Sequence, residues 1–201
     1  MTSLKSEPNS AETAAKFLLE KKIVILPTDT IYGFSALSFL DGKKTGLDKR
    51  IDEIKKSAES KPLIELIARP QDVFKYTDQE IPEKIFKKWP CALTLLVKNN
   101  DWYAGLTGRA ATAFRCPGDE WLRRVVELSS SPVYSTSVNY SGSPALASGE
   151  EIVKEFGQAA DLIVLDEERG GQAKNPAAST LVSIEDGGQI RVLRQGSVLL
   201  N

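Results

Sequence analysis

The sequence predicts a single α/β domain with a mixed sheet, and three observations carry the prediction. Short β-rich apolar runs alternate with segments of helical period along most of the chain, the pattern of strands covered by crossover helices. The last two runs, "STLVSI" and "QIRVLRQG", follow one another across "EDGG", a hairpin turn, so the sheet contains an antiparallel pair. The chain has 201 residues, 41% of them hydrophobic, enough to bury one sizeable core, and no internal repeat or low-complexity tract divides it. Residues 1–9 read as a polar N-terminal tail and 10–201 as the domain.

The elements follow in order. Asn9 and Glu12 have capping-box spacing ahead of "SAETAAKFLLEK", where Ala14, Phe17 and Leu18 share one stripe, which predicts a helix ending near Lys21. "KIVIL" is a buried strand stopped by Pro27. Leu47, Ile51 and Ile54 recur at i, i+4 and i+7, predicting a helix over 43–56. "KPLIELIA" is the next strand, "PEKIFKKWP" a short helix bounded by prolines, "ALTLLVK" and "TAFRCP" two further strands. "DEWLRRVVELSS" is a helix with Asp119 at its electropositive start. "SPVYSTSVN" begins as a strand and ends in hydroxyls, "GEEIVKEFG" is helical and "LIVLD" a strand.

Composition narrows the chemistry. Lys plus Arg number 26 against 27 Asp plus Glu, so no global cationic field announces nucleic-acid binding and any anion site is local. No histidine occurs, which removes Ser-His and Cys-His nucleophiles and the commonest transition-metal ligand. Cys91 and Cys116 lack the spacing of a zinc site or a disulfide framework and are read as reduced and structural. The polar start lacks a signal-peptide core, and no segment approaches the ~18 apolar residues of a membrane span. A cytoplasmic location is expected. Neither G-x-x-x-x-G-K-[ST] nor G-x-G-x-x-G is present, and no pair of carboxylates stands at strand ends as in glycosidases.

Three strand ends share a polar character: Pro27-Thr28-Asp29-Thr30, Phe114-Arg115-Cys116-Pro117 and Ser135-Thr136-Ser137-Val138-Asn139. Ligands of α/β sheets sit outside strand ends, so three neighbouring ends would form a polar cup. Taken singly, "PTDT" and "STSVNYSGSP" also read as ordinary turns whose side chains bond to nearby backbone, with Asp29 a turn cap. Arg115 on an apolar strand needs a compensating group, which is either an internal carboxylate or a bound anion. The pairs Lys43-Lys44, Lys55-Lys56 and Lys87-Lys88 read as solvated helix faces, whereas Lys61, before Pro62 and a strand, is placed to reach a phosphate.

Seven blocks, "ILPTDTIYGFSA", "RIDEIKKSAESKPLIELI", "KKWPCALTLLVK", "AFRCPGD", "YSTSVNYSGSPA", "ASTLVSI" and "RVLRQGSV", stand in the order found in the YrdC-like family of threonylcarbamoyl-AMP synthases, which the chain resembles from about residue 10 to 198. The resemblance implies a twisted mixed sheet with helices on its faces and a large concave polar cavity, in the short single-domain form of the family. It implies a nucleotidyltransferase reaction in which L-threonine, bicarbonate and ATP give threonylcarbamoyl-AMP and pyrophosphate. A separate tRNA threonylcarbamoyl-transferase complex then uses the product on adenosine 37 of tRNA. ATP is a substrate, with Mg²⁺ carried by the nucleotide, and double-stranded RNA, which some members bind, is a candidate partner; no membrane is involved.

Carried over by motif position, the resemblance assigns Thr30, Tyr32, Lys61, Arg115, Ser135 and Ser179 to threonine, and Lys55, Ser137, Asn139 and Arg194 to the nucleotide. It singles out no catalytic residue and no metal ligand. The residue types suit the task, because a carboxylate and a triphosphate are both anions and call for guanidinium, ammonium and hydroxyl donors. Two departures stand out. The family's K-x-R would place arginine where Ser57 stands, and its "WPGPLT" is "WPCALT" here. Ser57 cannot hold a phosphate bidentately, which keeps a second reading in view: a YciO-like paralogue that binds nucleotide or RNA without making the adenylate.

Overall fold

The computed structural model of the protein describes residues 1–58, 62–167 and 177–200; Lys61, one of the expected ligand contacts, lies outside them. In chain order the elements are β1 (Thr2–Leu4), α1 (Ser10–Leu19), β2 (Val24–Leu26), β3 (Gly33–Leu37), β4 (Phe39–Leu40), β5 (Lys43–Lys44), α2 (Leu47–Ile54) and β6 (Ile64–Leu66). They continue with α3 (Glu83–Phe86), β7 (Leu93–Lys98), α4 (Asp101–Thr107), β8 (Ala111–Arg115), α5 (Glu120–Leu128), β9 (Val133–Ser137), α6 (Gly149–Phe156), β10 (Leu162–Leu165), β11 (Thr180–Ile184) and β12 (Ile190–Arg194). A 3₁₀ turn, Pro70–Lys75, follows β6, and a second, Asp186–Gly188, joins the last two strands.

The strands form a mixed ten-stranded sheet in the order β1-β10-β2-β3-β9-β6-β8-β7-β11-β12. The pairs β1/β10, β10/β2, β6/β8 and β7/β11 are parallel, and the others antiparallel. Strand β2 shows why helices cover both faces. Val24 and Leu26 point into one core with α1 and α5, while Ile25 points into another with α2 and α6. In α1 the buried stripe is Ala11, Ala14, Ala15 and Leu18, and full burial of a leucine such as Leu18 contributes roughly 1.5–3 kcal/mol. A third core, with Tyr76, Trp89, Tyr103 and Phe114, lies under β7 and β8.

Several expectations hold at the level of single groups. Asp119 caps α5, its carboxylate accepting from the Leu122 amide at 2.9 Å. The turn between β11 and β12 uses Gly187 (φ 74°) and Gly188 (φ 73°), values that a β-carbon resists. Other expectations are corrected. Asn9 has φ 59° and forms no capping bond, so the expected capping box is absent. The helix expected from residue 43 starts only at Leu47, because Asp41 (φ 51°) and Gly42 (φ 70°) first turn the chain into the β4/β5 hairpin, an Asp-Gly signal that the helical period masked. Part of the expected N-terminal tail is the edge strand β1. Strand β3 and helix α4 have no counterpart in the sequence reading. Helix α4 is capped by the Asn100 side chain, accepting from the Tyr103 amide, and closed by Gly108 at φ 69°.

Candidate functional site

A pocket of about 340 Å³ opens on the sheet where β3, β6, β8, β9 and β11 approach one another. Its wall includes Thr30, Tyr32, Arg115, Ser135, Ser137, Ser179 and Arg194, so seven residues expected at the ligand site are brought together. Lys55 and Asn139 are not in that wall.

The first strand end is organised by hydroxyls. Thr28 Oγ1 donates to the Ile31 carbonyl at 2.7 Å and accepts from the Thr30 amide at 3.0 Å. Its one proton being committed, the 2.9 Å contact between the two threonine hydroxyls runs with Thr30 as donor. Thr30 Oγ1 in turn accepts from Arg115 Nη1 at 3.1 Å. The relay fixes what Thr30 can offer a ligand: a lone pair, not a proton.

Arg115 is 4% exposed. Its Nη2 lies 3.0 Å from Asp29 Oδ1 in an ion pair angled away from the hydrogen-bond direction, and its Nε has no hydrogen-bond partner among the described residues. Burial holds the guanidinium below its ordinary pKa; Asp29 opposes this and nearby Arg194 adds to it. Asp29 is therefore the counter-ion of Arg115 and, with Oδ2 accepting from the Gly118 amide at 2.8 Å, ties the first strand end to the second. The sequence reading had Asp29 only as a turn cap. Of the two partners open for Arg115, the internal carboxylate is present as Asp29, and Nε is left as a donor.

Arg194 donates from Nε to the Ser179 carbonyl at 3.1 Å and from Nη2 to Ser179 Oγ at 3.3 Å. Partial burial lowers its pKa as well. Ser179 Oγ also meets Thr94 Oγ1 at 2.7 Å, so the last strand end is as firmly hydrogen-bonded as the first. Tyr32 contributes its ring, 1% exposed, while its hydroxyl accepts from the Asp166 amide at 3.1 Å. Gly33 is required by close approach: a β-carbon there would lie 2.8 Å from Ser135 Oγ. Thr28 belongs to the first of the polar strand ends named from the sequence, whereas Gly33 has no role there although it follows the hydroxyl run directly.

Lys55, expected on a solvated helix face, is instead buried at the end of α2. Its ammonium donates to the Ser137 carbonyl, to the Asn139 carbonyl at 3.0 Å and to Asn139 Oδ1 at 2.8 Å, so all three protons are engaged. Burial pushes its pKa down to about 8, with the Asp52 carboxylate opposing the shift. Asn139 Oδ1 also accepts from Ser137 Oγ at 2.6 Å, and its Nδ2 donates to the Tyr140 and Ser143 carbonyls. Lys55 and Asn139 thus clamp the chain that leaves β9. Lys56 takes a left-handed φ of 52°, which lets the Ser57 amide reach back to the Asp52 carbonyl at 2.9 Å and close α2. The Lys56 ammonium sits 4.4 Å from the Tyr140 ring centre, and Ser57 is not in the pocket wall. A second hollow, of about 220 Å³, is lined by Arg69, Lys75, Asp72 and Glu127, two cations against two carboxylates, with Asp72 Oδ1 2.8 Å from Lys75 and 3.5 Å from Arg69.

Fold and site together define a class: an α/β domain on a mixed sheet whose pocket presents two guanidiniums and several hydroxyls, donors able to meet an anion, with Asp29 paired to Arg115 outside the lining. Comparison with known proteins supplies the family. The family model described as "Telomere recombination" matches residues 16–196, and the chain belongs to the Sua5/YciO/YrdC family. A Pyrococcus abyssi protein named threonylcarbamoyl-AMP synthase is 32% identical over 193 residues, 93% of this chain and 54% of its own length. The structure of P. abyssi Sua5 complexed with L-threonine superposes with a TM-score of 0.81 at 28% identity, covering 98% of this chain and 57% of that one. E. coli YciO superposes with a TM-score of 0.77 over 98% of this chain and 93% of its own, at 17% identity, a likeness of fold alone. The chain spans about half the length of the P. abyssi proteins. Among the described residues no helix is long and apolar enough to cross a membrane.

Proposed function

We propose that the protein is a transferase of the nucleotidyl class that makes threonylcarbamoyl-AMP and pyrophosphate from L-threonine, bicarbonate and ATP, for later use by a tRNA threonylcarbamoyl-transferase complex. The observation that carries this reading is the convergence of Arg115 and Arg194 on one hydroxyl-lined pocket, with an Arg115 Nε donor unspent. Arg115 receives the threonine carboxylate. Thr30, restricted to accepting, takes an N–H of the amino group and leaves the nitrogen lone pair free to meet bicarbonate.

The neutral amine attacks the bicarbonate carbon, water leaves with an amine proton and the bicarbonate hydroxyl, and an oxygen of the resulting carbamate attacks the α-phosphorus in line as pyrophosphate leaves. Arg194 and the Ser135 and Ser137 hydroxyls neutralise and orient the phosphates, so that catalysis is positioning and charge stabilisation without a strong base. Among the described residues the pocket wall contains no carboxylate. Mg²⁺ would be held by the nucleotide's own phosphates and would supply charge neutralisation there. The similarity to a threonine-bound relative and to a named synthase supports the same reading.

A second reading has its own observation. Lys55 is engaged by two backbone carbonyls and the Asn139 side chain and Ser57 replaces the family arginine, so two cation positions expected at the nucleotide do not reach the pocket. That arrangement favours a paralogue that binds nucleotide or RNA without turnover. Pyrophosphate release by the purified protein separates the two. Release from ATP that requires both threonine and bicarbonate is the expected result, and nucleotide binding with no release would replace the first reading by the second.

A further inference from the structure

Behind the pocket wall lies a buried polar cluster that the proposed chemistry does not use. Glu65 on β6 is fully buried, and burial raises its pKa. Tyr103 from α4 donates its hydroxyl to Glu65 Oε2, and Ser38 Oγ meets the same hydroxyl at 3.2 Å. Arg109 binds Asp48 Oδ2 at 3.0 Å through Nη2, and Lys44 reaches the same carboxylate at 2.7 Å. Arg109 Nη1 stops 3.8 Å from Glu65 Oε1, beyond hydrogen-bonding distance. The cluster is neutral, two carboxylates against two cations.

Four of its buried atoms have no hydrogen-bond partner among the described residues: Glu65 Oε1, Asp48 Oδ1, Arg109 Nη1 and the Tyr134 hydroxyl. Orphans of this kind are unfavourable, and native interiors cover them with ordered water. Here the orphans are two donors and two acceptors, the capacity of a single water molecule. A polar gap above 3.5 Å, such as that between Arg109 and Glu65, is the usual place for one. The register links the cluster to the pocket. Glu65 lies opposite Tyr134, and the next pair along, Ile64 and Ser135, turns to the other face and lines the pocket.

We propose that one internal water, bonded to Glu65 Oε1, Arg109 Nη1, the Tyr134 hydroxyl and Asp48 Oδ1, completes this cluster, and that Glu65 is a positioning residue that holds Ser135 in the pocket wall through the bridge. Both Glu65 oxygens then accept hydrogen bonds, so the group works as a carboxylate and charge matters more than volume. The water is independent of the functional reading; the positioning role rests on it where threonine is the probe.

The test has two arms. A crystal structure of the intact protein shows density for a water within hydrogen-bond distance of at least three of the four atoms; a dry cluster with Arg109 closed directly onto Glu65 overturns the proposal. In the second arm, calorimetry measures L-threonine binding to the wild type, Glu65→Gln and Glu65→Asp. Glu65→Gln, near-isosteric but uncharged, weakens threonine about tenfold, while Glu65→Asp, shorter but charged and extended by water, stays within about twofold of wild type. The reverse ranking, with Gln tolerated and Asp not, is what a purely space-filling role gives and refutes the positioning claim. Should the wild type itself fail to bind threonine, the functional reading falls, and the crystallographic arm still decides the water.

Discussion

Thr30 and Gly33 show how single atoms set what the pocket accepts. Thr30→Val keeps the shape of the side chain and deletes the acceptor of the Arg115 Nη1 bond, leaving one more buried guanidinium N–H unpaired at a cost of about 1–3 kcal/mol. Threonine binding, measured by calorimetry, should fall about tenfold or more, with a moderate loss of thermal stability. Gly33→Ala forces a β-carbon to within 2.8 Å of Ser135 Oγ, and the hydroxyl, the end of a short side chain, gives way into the pocket. The expected outcome is a loss of stability of about 1–3 kcal/mol by chemical denaturation, together with weaker threonine binding, since the displaced group occupies ligand space. Had the protein no use for the pocket, the two changes would register in stability alone.

At the level of elements, the end of α2 and the end of β9 are one unit, joined by Lys55. Lys55→Met removes the donor from three oxygens and should lower stability by about 2 kcal/mol, roughly 4–8 °C in Tm for a chain of this size. The pH dependence has a definite sign. The folded value of about 8 lies below the ordinary 10.5, so between these limits the unfolded chain holds more protons at this site and the Lys55 contribution to stability rises with pH. Denaturation curves of wild type and Lys55→Met should therefore diverge in slope across that window, with the variant the flatter. The neighbouring Ser57 tests the missing arginine: Ser57→Arg should raise pyrophosphate release if a cation at this turn serves the triphosphate, and an unchanged rate would leave the pocket arginines sufficient.

For the whole molecule, the sequence was most legible where one local signal settled one local structure. Apolar runs with a proline at one end marked β2, β7 and β8, the bare run "LIVL" marked β10, the helical period and Asp119 marked α5, and "EDGG" marked the last hairpin. Where two signals overlapped, the hairpin residues Asp41-Gly42 lost to the period of α2, and Gly105 helped to hide α4 inside "DWYAGLT". The polar strand ends were recognisable as pocket material from their residue types. Their partners were not, because the Asp29–Arg115 pair and the Lys55 clamp join segments far apart in the chain, and only the sheet order sets them side by side. That order also constrains how the chain folds. Strand β1 pairs with β10, Thr2 opposite Ile163 and Leu4 opposite Leu165, and its neighbour β2 pairs with the same strand on the other side. Closing contacts over such spans costs chain entropy before any hydrogen bond forms, which slows folding. During synthesis from the N-terminus, β1 and β2 leave the ribosome long before β10, so one whole end of the sheet must wait, with its edges unpaired, for a strand near residue 165 to arrive and seat between them.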